Sequence, residues 1–276
     1  MKKRLLIIGM NSFVASNIFL GLKNRIYVRK IKYSKFIKKS SEFLTKFDYI
    51  LNCSLHRKYV SEKYNKKYDL DYHILNKIKN HNINYIFLSS RKIYKSKLNI
   101  QETDKTLPRN NYEKNKLITE NYIKKTIPTD YLILRISNII GERIINNKRS
   151  HNLFLDNFIL NLKNNFVLYH KNLFKDFISI NQFINILLKI IQINLKGVFN
   201  VSLGKKVYIS EILQWLTASS KKSLNVKNFY NNKIYNSESF TLDNTKLKKA
   251  LNISIKKKDL KIYCLNFSKK IFSKIN

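Results

Sequence analysis

The chain is poor in several things at once: 2 cysteines, 2 prolines, 5 glycines and 17 acidic residues among 276. Cys53 and Cys264 stand far apart, which rules out a disulfide framework and any cysteine-based metal spacing and makes a reducing cytoplasm the expected compartment. With so little proline and glycine, no separate linker and no internal repeat of fixed period is visible. A long uninterrupted apolar run is also missing. The uncharged stretch from Leu5 to Leu22 follows Lys2, Lys3 and Arg4 like a membrane anchor, but Gly9, Asn11, Ser12, Ser16 and Asn17 break it. It reads as a buried strand and helix, and no membrane span is expected. No histidine stands in a motif that would make it a metal ligand or a nucleophile's partner, so all five are read as ordinary polar or capping residues.

The scarcity of acid leaves 54 Lys and Arg against 17 Asp and Glu, a formal charge of +37. Such a charge ordinarily points to a polyanion. Here Lys, Asn, Ile, Tyr and Phe are all abundant, the bias of an AT-rich genome, and the lysines are scattered through nearly every segment instead of gathered on one tail. The reading favoured is a solvated lysine surface, with a nucleic-acid partner not expected.

Apolar runs at Leu5–Ile8, Arg25–Val28, Phe47–Cys53, Tyr85–Leu88 and Tyr131–Arg135 alternate with helical stretches, among them 68–79 and a helix running to about Lys125. That rhythm predicts an α/β fold with a doubly wound parallel sheet. After Gly141 the pattern changes. The stretch 146–165 is polar, aromatic and mostly helical. Strand character returns at Asp176–Ile180, an apolar helix follows over Phe183–Ile193, and Val198–Val201 resembles a last strand. Ser210 and Glu211 open a helix that buries Trp215, and from Ser223 onward the chain is lysine-rich and less regular. The expected organisation is a dinucleotide-binding core over 1–145, rejoined by about 176–203, with a smaller substrate-binding lobe from 146–175 and 204–276.

Two constellations carry chemistry. Gly9-Met10-Asn11-Ser12-Phe13-Val14-Ala15 follows the first strand and opens a helix, where backbone N–H groups can receive a pyrophosphate; Ser12 and Ala15 stand where a glycine-rich turn has its later glycines. Tyr112 and Lys116 lie one helical turn apart, after Ser90 at the end of the fourth strand. A lysine ammonium so placed favours the phenolate and readies a tyrosine for proton transfer. With 17 tyrosines in a lysine-rich chain, roughly three Tyr-x-x-x-Lys matches arise by composition alone, and Tyr59 with Lys63 is another. Context separates them.

That context is a series: the Gly9 turn, Asn52-Cys53-Ser54, Phe87-Leu88-Ser89-Ser90-Arg91-Lys92-Ile93-Tyr94, Glu102, Pro108, Tyr112 to Lys116 with Glu120, Leu134 to Asn138 ending at Gly141, Lys175-Asp176-Phe177-Ile178, Gly197 to Val201, and Leu242-Asp243 before Lys246-Leu247. In this order the chain resembles the extended short-chain dehydrogenase/reductase family of nucleotide-sugar epimerases, dehydratases and reductases. The resemblance implies a Rossmann core and a catalytic set of Ser90, Tyr112 and Lys116. It places the cofactor on Gly9, Asn11, Ser12, Phe13, Val14, Asn52, Cys53 and Lys116, and the substrate on Ser90, Asn138 and Lys175. Lysine at 175 keeps the charge of the arginine many relatives carry but not its fork. Where the second strand ends, Val28-Arg29-Lys30 stands in place of the acid that binds the adenosine ribose of NAD, so Arg29 favours NADP, with NAD left open.

The expected activity is NADP-preferring reduction of a nucleotide-linked keto-sugar. A nucleotide-sugar 4-epimerase with the same three residues is the alternative, and a non-catalytic dinucleotide or polyanion binder is the alternative of another class. A dehydratase is disfavoured because no acid adjoins Ser90. A homodimer stays open.

Overall fold

The computed structural model describes residues 2–144, 154–163, 166–170, 172–221 and 225–275. The first half runs β1 (Arg4–Ile8), α1 (Phe13–Leu22), β2 (Tyr27–Ile31), short helices α2 (Tyr33–Phe36) and α3 (Ser41–Leu44), β3 (Tyr49–Asn52), α4 (Arg57–Ser61), α5 (Leu70–Ile78), β4 (Asn84–Ser90), α6 (Asn111–Thr126), β5 (Tyr131–Ile136) and β6 (Asn138–Ile140). The second half runs α7 (Phe154–Lys163), β7 (Phe166–His170), β8 (Phe174–Lys175), β9 (Phe177–Ser179), α8 (Ile180–Ile193), β10 (Gly197–Val201), β11 (Val207–Tyr208), α9 (Ile209–Thr217), β12 (Asn225–Phe229), α10 (Asn232–Glu238), α11 (Thr245–Leu251) and α12 (Lys257–Ile275).

Six strands form one sheet in the order β2-β1-β3-β4-β5-β10, all parallel. The continuous apolar runs follow from burial on both faces. In β1, Leu5 and Ile7 join one hydrophobic cluster with α1, α8, α9 and α12, while Leu6 and Ile8 join a second with α2, α3 and α5. The same alternation splits Ile50 from Leu51 in β3 and Ile133 from Leu132 and Leu134 in β5. Eight apolar residues of α8 are buried, each contributing roughly 1.5–3 kcal/mol. Gly141 fixes how closely α1 and α8 approach, since a Cβ there would stand 2.6 Å from the Phe13 ring and 2.8 Å from the Ile180 Cβ.

A chain short of glycine needs another residue for left-handed turns. Among the described residues, the four non-glycine positions with positive φ, residues 99, 172, 194 and 252, are all asparagine. Asn194 and Asn252 end α8 and α11, and the next residues, Leu195 and Ile253, return their N–H groups to Ile190 and Lys248, closing each helix end.

Three expectations change. The second strand covers Tyr27–Ile31 instead of 25–28, with a polar and half-exposed pattern because it is the sheet edge. The stretch after 223 is not irregular: β12 pairs with β7, and α12 runs 19 residues. Leu260, Cys264, Phe267 and Phe272 of α12 bury into the same cluster as α1 and α8, as do Leu247 and Leu251 of α11, so much of 204–276 packs on the core. Val198–Val201 closes the main sheet but is not the last strand. Residues 146–153, 164–165, 171, 222–224 and 276 of the expected lobe lie outside the described residues.

Candidate active site

The carboxyl ends of the strands open into a cleft of about 1170 Å³. At one end lies the β1–α1 turn. Gly9 has φ +121°, its N–H donates to the Ile31 carbonyl (2.9 Å), and a Cβ would stand 2.9 Å from the Cys53 carbonyl carbon. Both the dihedral and the approach of β3 demand glycine here. Ser12 caps α1 by accepting the Ala15 N–H (3.0 Å), and Asn11, Ser12, Phe13 and Val14 all line the cleft. The first-turn N–H groups of Phe13 and Val14 have no intrahelical acceptor, so this end suits a pyrophosphate.

Asn52 ends β3 beside that turn, and Cys53 follows it. Asn52 accepts the Ser54 N–H and donates to Asp71 Oδ1, both at 2.8 Å. Burial pushes the Cys53 thiol up to about 12, which leaves it an inert wall residue.

The opposite wall comes from β4 and α6. Ser90 ends β4, and its Oγ accepts the Lys92 N–H (3.2 Å). Tyr112 is the second residue of α6, half-buried, with Lys116 one turn on. Lys116 is 5% exposed; its Nζ donates to the Leu88 carbonyl (2.9 Å) and lies 4.3 Å from the Phe87 ring centroid and 6.0 Å from that of Tyr112. The competing pair dissolves. α4 ends at Ser61, short of Lys63, and Tyr59 is buried against the Thr119 hydroxyl, with burial holding its phenol far above the ordinary value.

Toward the C-terminal wall, Asn138 donates its side-chain amide to the Asp176 carbonyl (3.2 Å), and Lys175 Nζ meets Glu238 at 2.8 Å. Asp176 itself is buried and accepts the N–H groups of Leu203, Gly204 and Leu242; burial still raises its carboxyl to about 7 against those hydrogen bonds. Thus twelve of the residues expected in the site do line one cleft: Gly9, Asn11, Ser12, Phe13, Val14, Asn52, Cys53, Ser90, Tyr112, Lys116, Asn138 and Lys175.

Arg29 does not. It pairs in register with Leu6, on the sheet face away from α1, and its guanidinium lies 5.2 Å from the Phe43 ring centroid. The strand runs on to Ile31, so the residues at its end are Lys32 and Tyr33, and these line the cleft. Asp71 and Tyr169 also line the cleft with no expectation attached to them, and so does His170, expected to be an ordinary polar residue. For Asp71 the available signal was Asp69-Leu70-Asp71, two acids one residue apart in an acid-poor chain. His170 is buried in the cleft wall, with Nε2 2.8 Å from both the N–H and the carbonyl oxygen of Asn231.

Asp71 is 3% exposed, and burial raises its carboxyl to about 6, against the Lys116 charge and hydrogen bonds from Tyr85 and Asn52. A carboxyl raised in the folded state loses stability as pH rises from the unfolded value near ~4 to the folded one, and the cost persists above. Both donors meet Oδ1, which an amide also offers. Asp71→Asn is therefore expected to unfold about 2 kcal/mol less readily than the parent at pH 8, with the difference vanishing toward pH 4. Urea unfolding across that range checks it; equal gains at both ends would refute the assignment.

Among the described residues, no cluster of three His, Cys, Asp or Glu could hold a metal ion, and no helix is long and apolar enough to cross a membrane. The description of the NAD dependent epimerase/dehydratase family matches residues 6–202. The chain belongs to that family. No curated protein matches it in sequence. Solved structures share the fold of the whole chain. A UDP-N-acetylglucosamine 4-epimerase from Methanobrevibacter ruminantium M1, in complex with UDP-N-acetylmuramic acid, is 20% identical, with TM-score 0.79 over 99% of this chain and 100% of that one. A dTDP-4-dehydrorhamnose reductase from Clostridium acetobutylicum is 16% identical, with TM-score 0.71 over 99% of each. RMD from Pseudomonas aeruginosa, complexed with NADPH, is 16% identical, with TM-score 0.72 over 96% of this chain and 99% of that one. The epimerase/dehydratase family member described here is thus an enzyme with the extended short-chain dehydrogenase/reductase architecture.

Proposed function

We propose that this enzyme reduces a nucleotide-linked keto-sugar at the expense of NADPH. The observation that carries the reading is the meeting of Ser90, Tyr112 and Lys116 in the cleft that also holds the Gly9–Val14 turn. The turn and the first-turn N–H groups of α1 would hold the cofactor's pyrophosphate, and Lys116 its nicotinamide ribose. Lys32, at the end of β2, supports the phosphorylated cofactor: the acid that would bind an unphosphorylated adenosine ribose is replaced by a cation. Bound there, NADPH supplies hydride for the carbonyl carbon.

The protein's own groups do the rest. Ser90 Oγ holds the carbonyl oxygen, and the Tyr112 hydroxyl gives that oxygen its proton. Lys116, tied to the Leu88 carbonyl, keeps a positive charge beside the phenol as the proton leaves. Asn138 contacts the sugar. Lys175 meets the substrate diphosphate, exchanging Glu238 for phosphate oxygens. Tyr169, His170 and Phe229 offer an aromatic wall to the base.

The test is a panel of nucleotide-linked 4-keto-sugars with cofactor oxidation and product mass followed together. The expected result is products two hydrogens heavier and a kcat/KM at least about tenfold higher with NADPH than with NADH, a preference that Lys32→Glu reverses. Tightly held NAD, with epimers interconverted and no net cofactor consumption, would replace reduction by 4-epimerisation through the same three residues. Failure to bind either cofactor would leave a non-catalytic role.

A further inference from the structure

The turn Arg91–Ile93 after Ser90 contains one residue whose placement the proposed reduction does not use. Arg91 is buried over the Phe240 ring (3.8 Å), with its guanidinium 3.7 Å from Glu238, and Ile93 and Tyr94 are buried beneath. Lys92 alone points outward, exposed on the cleft lining. Its backbone N–H sits on Ser90 Oγ (3.2 Å), which fixes its Cα beside the group proposed to hold the reacting oxygen. Its ammonium makes no hydrogen bond or ion pair among the described residues. The Glu238 carboxyl, held below the usual range against its burial by the Lys175 hydrogen bond and charge and less by Arg91 and Lys92, is already engaged by Lys175 at 2.8 Å and by Arg91.

The cleft's charges can then be assigned by position. The cofactor pyrophosphate belongs to the helix end at Ser12–Val14, and the substrate diphosphate to Lys175. Asp71 is the acid on the described lining, and it lies on the β3 side with Asn52. Lys32 and Lys116 belong to the proposed cofactor and Arg143 is engaged by Asp156 at 2.8 Å, so Lys92 remains as a cation with no phosphate to meet, at the sugar end. We propose that Lys92 selects a nucleotide-sugar whose sugar carries a carboxylate. This rests on the nucleotide-sugar reading of the cleft. An ammonium in open water gains little from an anion, but a carboxylate brought into the cleft on a bound sugar forms a charge-assisted hydrogen bond with it.

The experiment is calorimetric titration of the protein saturated with NADP+ or NAD+, whichever binds. UDP, UDP-glucose and UDP-glucuronic acid serve as probes against the parent, Lys92→Met and Lys92→Arg. The parent is expected to bind UDP-glucuronic acid about tenfold more tightly than UDP-glucose. That ratio should fall to about one in Lys92→Met and be largely kept in Lys92→Arg. Two results overturn the inference alone: binding of UDP and UDP-glucose with no uronate preference, or a Lys92→Met variant that weakens UDP as much as UDP-glucuronic acid, which would move Lys92 to the diphosphate. Binding of none of the three probes would overturn the nucleotide-sugar reading with it.

Discussion

Tyr112→Phe is expected to lower kcat for keto-sugar reduction by about 10²–10⁴ while leaving cofactor affinity near that of the parent. The expectation is sharp because the substitution removes one oxygen and little else. The Tyr112 ring stays as wall material over Lys116, and its hydroxyl makes no hydrogen bond among the described residues, so the fold loses no partner. Steady-state turnover, cofactor titration by fluorescence and a thermal melt separate the outcomes. A variant with an unchanged melt, unchanged cofactor binding and full turnover would remove Tyr112 from the chemistry. A loss of turnover confined to KM would make it a binding residue instead.

The second large effect concerns stability behind the site. Arg135 and Glu120 are buried, at 4% and 0% exposure, and joined by a bidentate contact, with Arg135 Nη2 at 2.7 Å and Nε at 3.1–3.2 Å from the carboxylate. Ser89, next to Ser90, donates to the same carboxylate, and Arg135 Nη1 reaches the Tyr94 hydroxyl (2.6 Å) and the Glu102 carbonyl (2.9 Å). Glu120→Ala would leave a guanidinium buried without its counter-charge, at a cost of about 3–5 kcal/mol. Against a typical total of about 5–15 kcal/mol, that is enough to unfold a marginal chain. Removing both charges as Glu120→Met with Arg135→Met should recover part of the loss, because neither ion is then stranded. Urea unfolding of the two single variants and the pair measures the coupling; a Glu120→Ala cost under about 1 kcal/mol would mean that water reaches the pair.

How far the molecule could be read from its sequence depends on where burial is two-sided. The central strands were legible because both faces are covered, so Leu5–Ile8 and Leu132–Leu134 appear as unbroken apolar runs. The edge strand β2 lacks that cover. Its half-exposed Tyr27–Ile31 pattern hides the register, and with it the fact that Arg29 faces Phe43 while Lys32 reaches the cleft. Ser90, Tyr112 and Lys116 were legible as a series in order, although spacing alone could not distinguish them from Tyr59 and Lys63. α12 was not, because lysines dilute the helical spacing of Leu260, Cys264, Phe267 and Phe272. Asp71 could be named as an acid, but its role comes from folding: α5 must dock on the sheet before Tyr85 and Asn52 converge on its carboxylate.

The Asp176 carboxylate also sets an order in time. Its donors at Leu203 and Gly204 follow within 28 residues, but the third, Leu242, leaves the ribosome 66 residues later. Leu242 also bridges Ile100, so the segment between Tyr94 and Tyr112 waits for the same late arrival. A nascent chain that has passed residue 201 but stops short of 242 carries every strand of the main sheet, and with it the Gly9–Val14 turn proposed to receive the cofactor, yet leaves the wall behind Ser90 unbraced. The proposed cofactor capture can therefore precede completion of the proposed substrate pocket during synthesis, and a premature stop between residues 244 and 256 would keep Leu242 and Asp243 against Ile100 while removing all of α12 from the core.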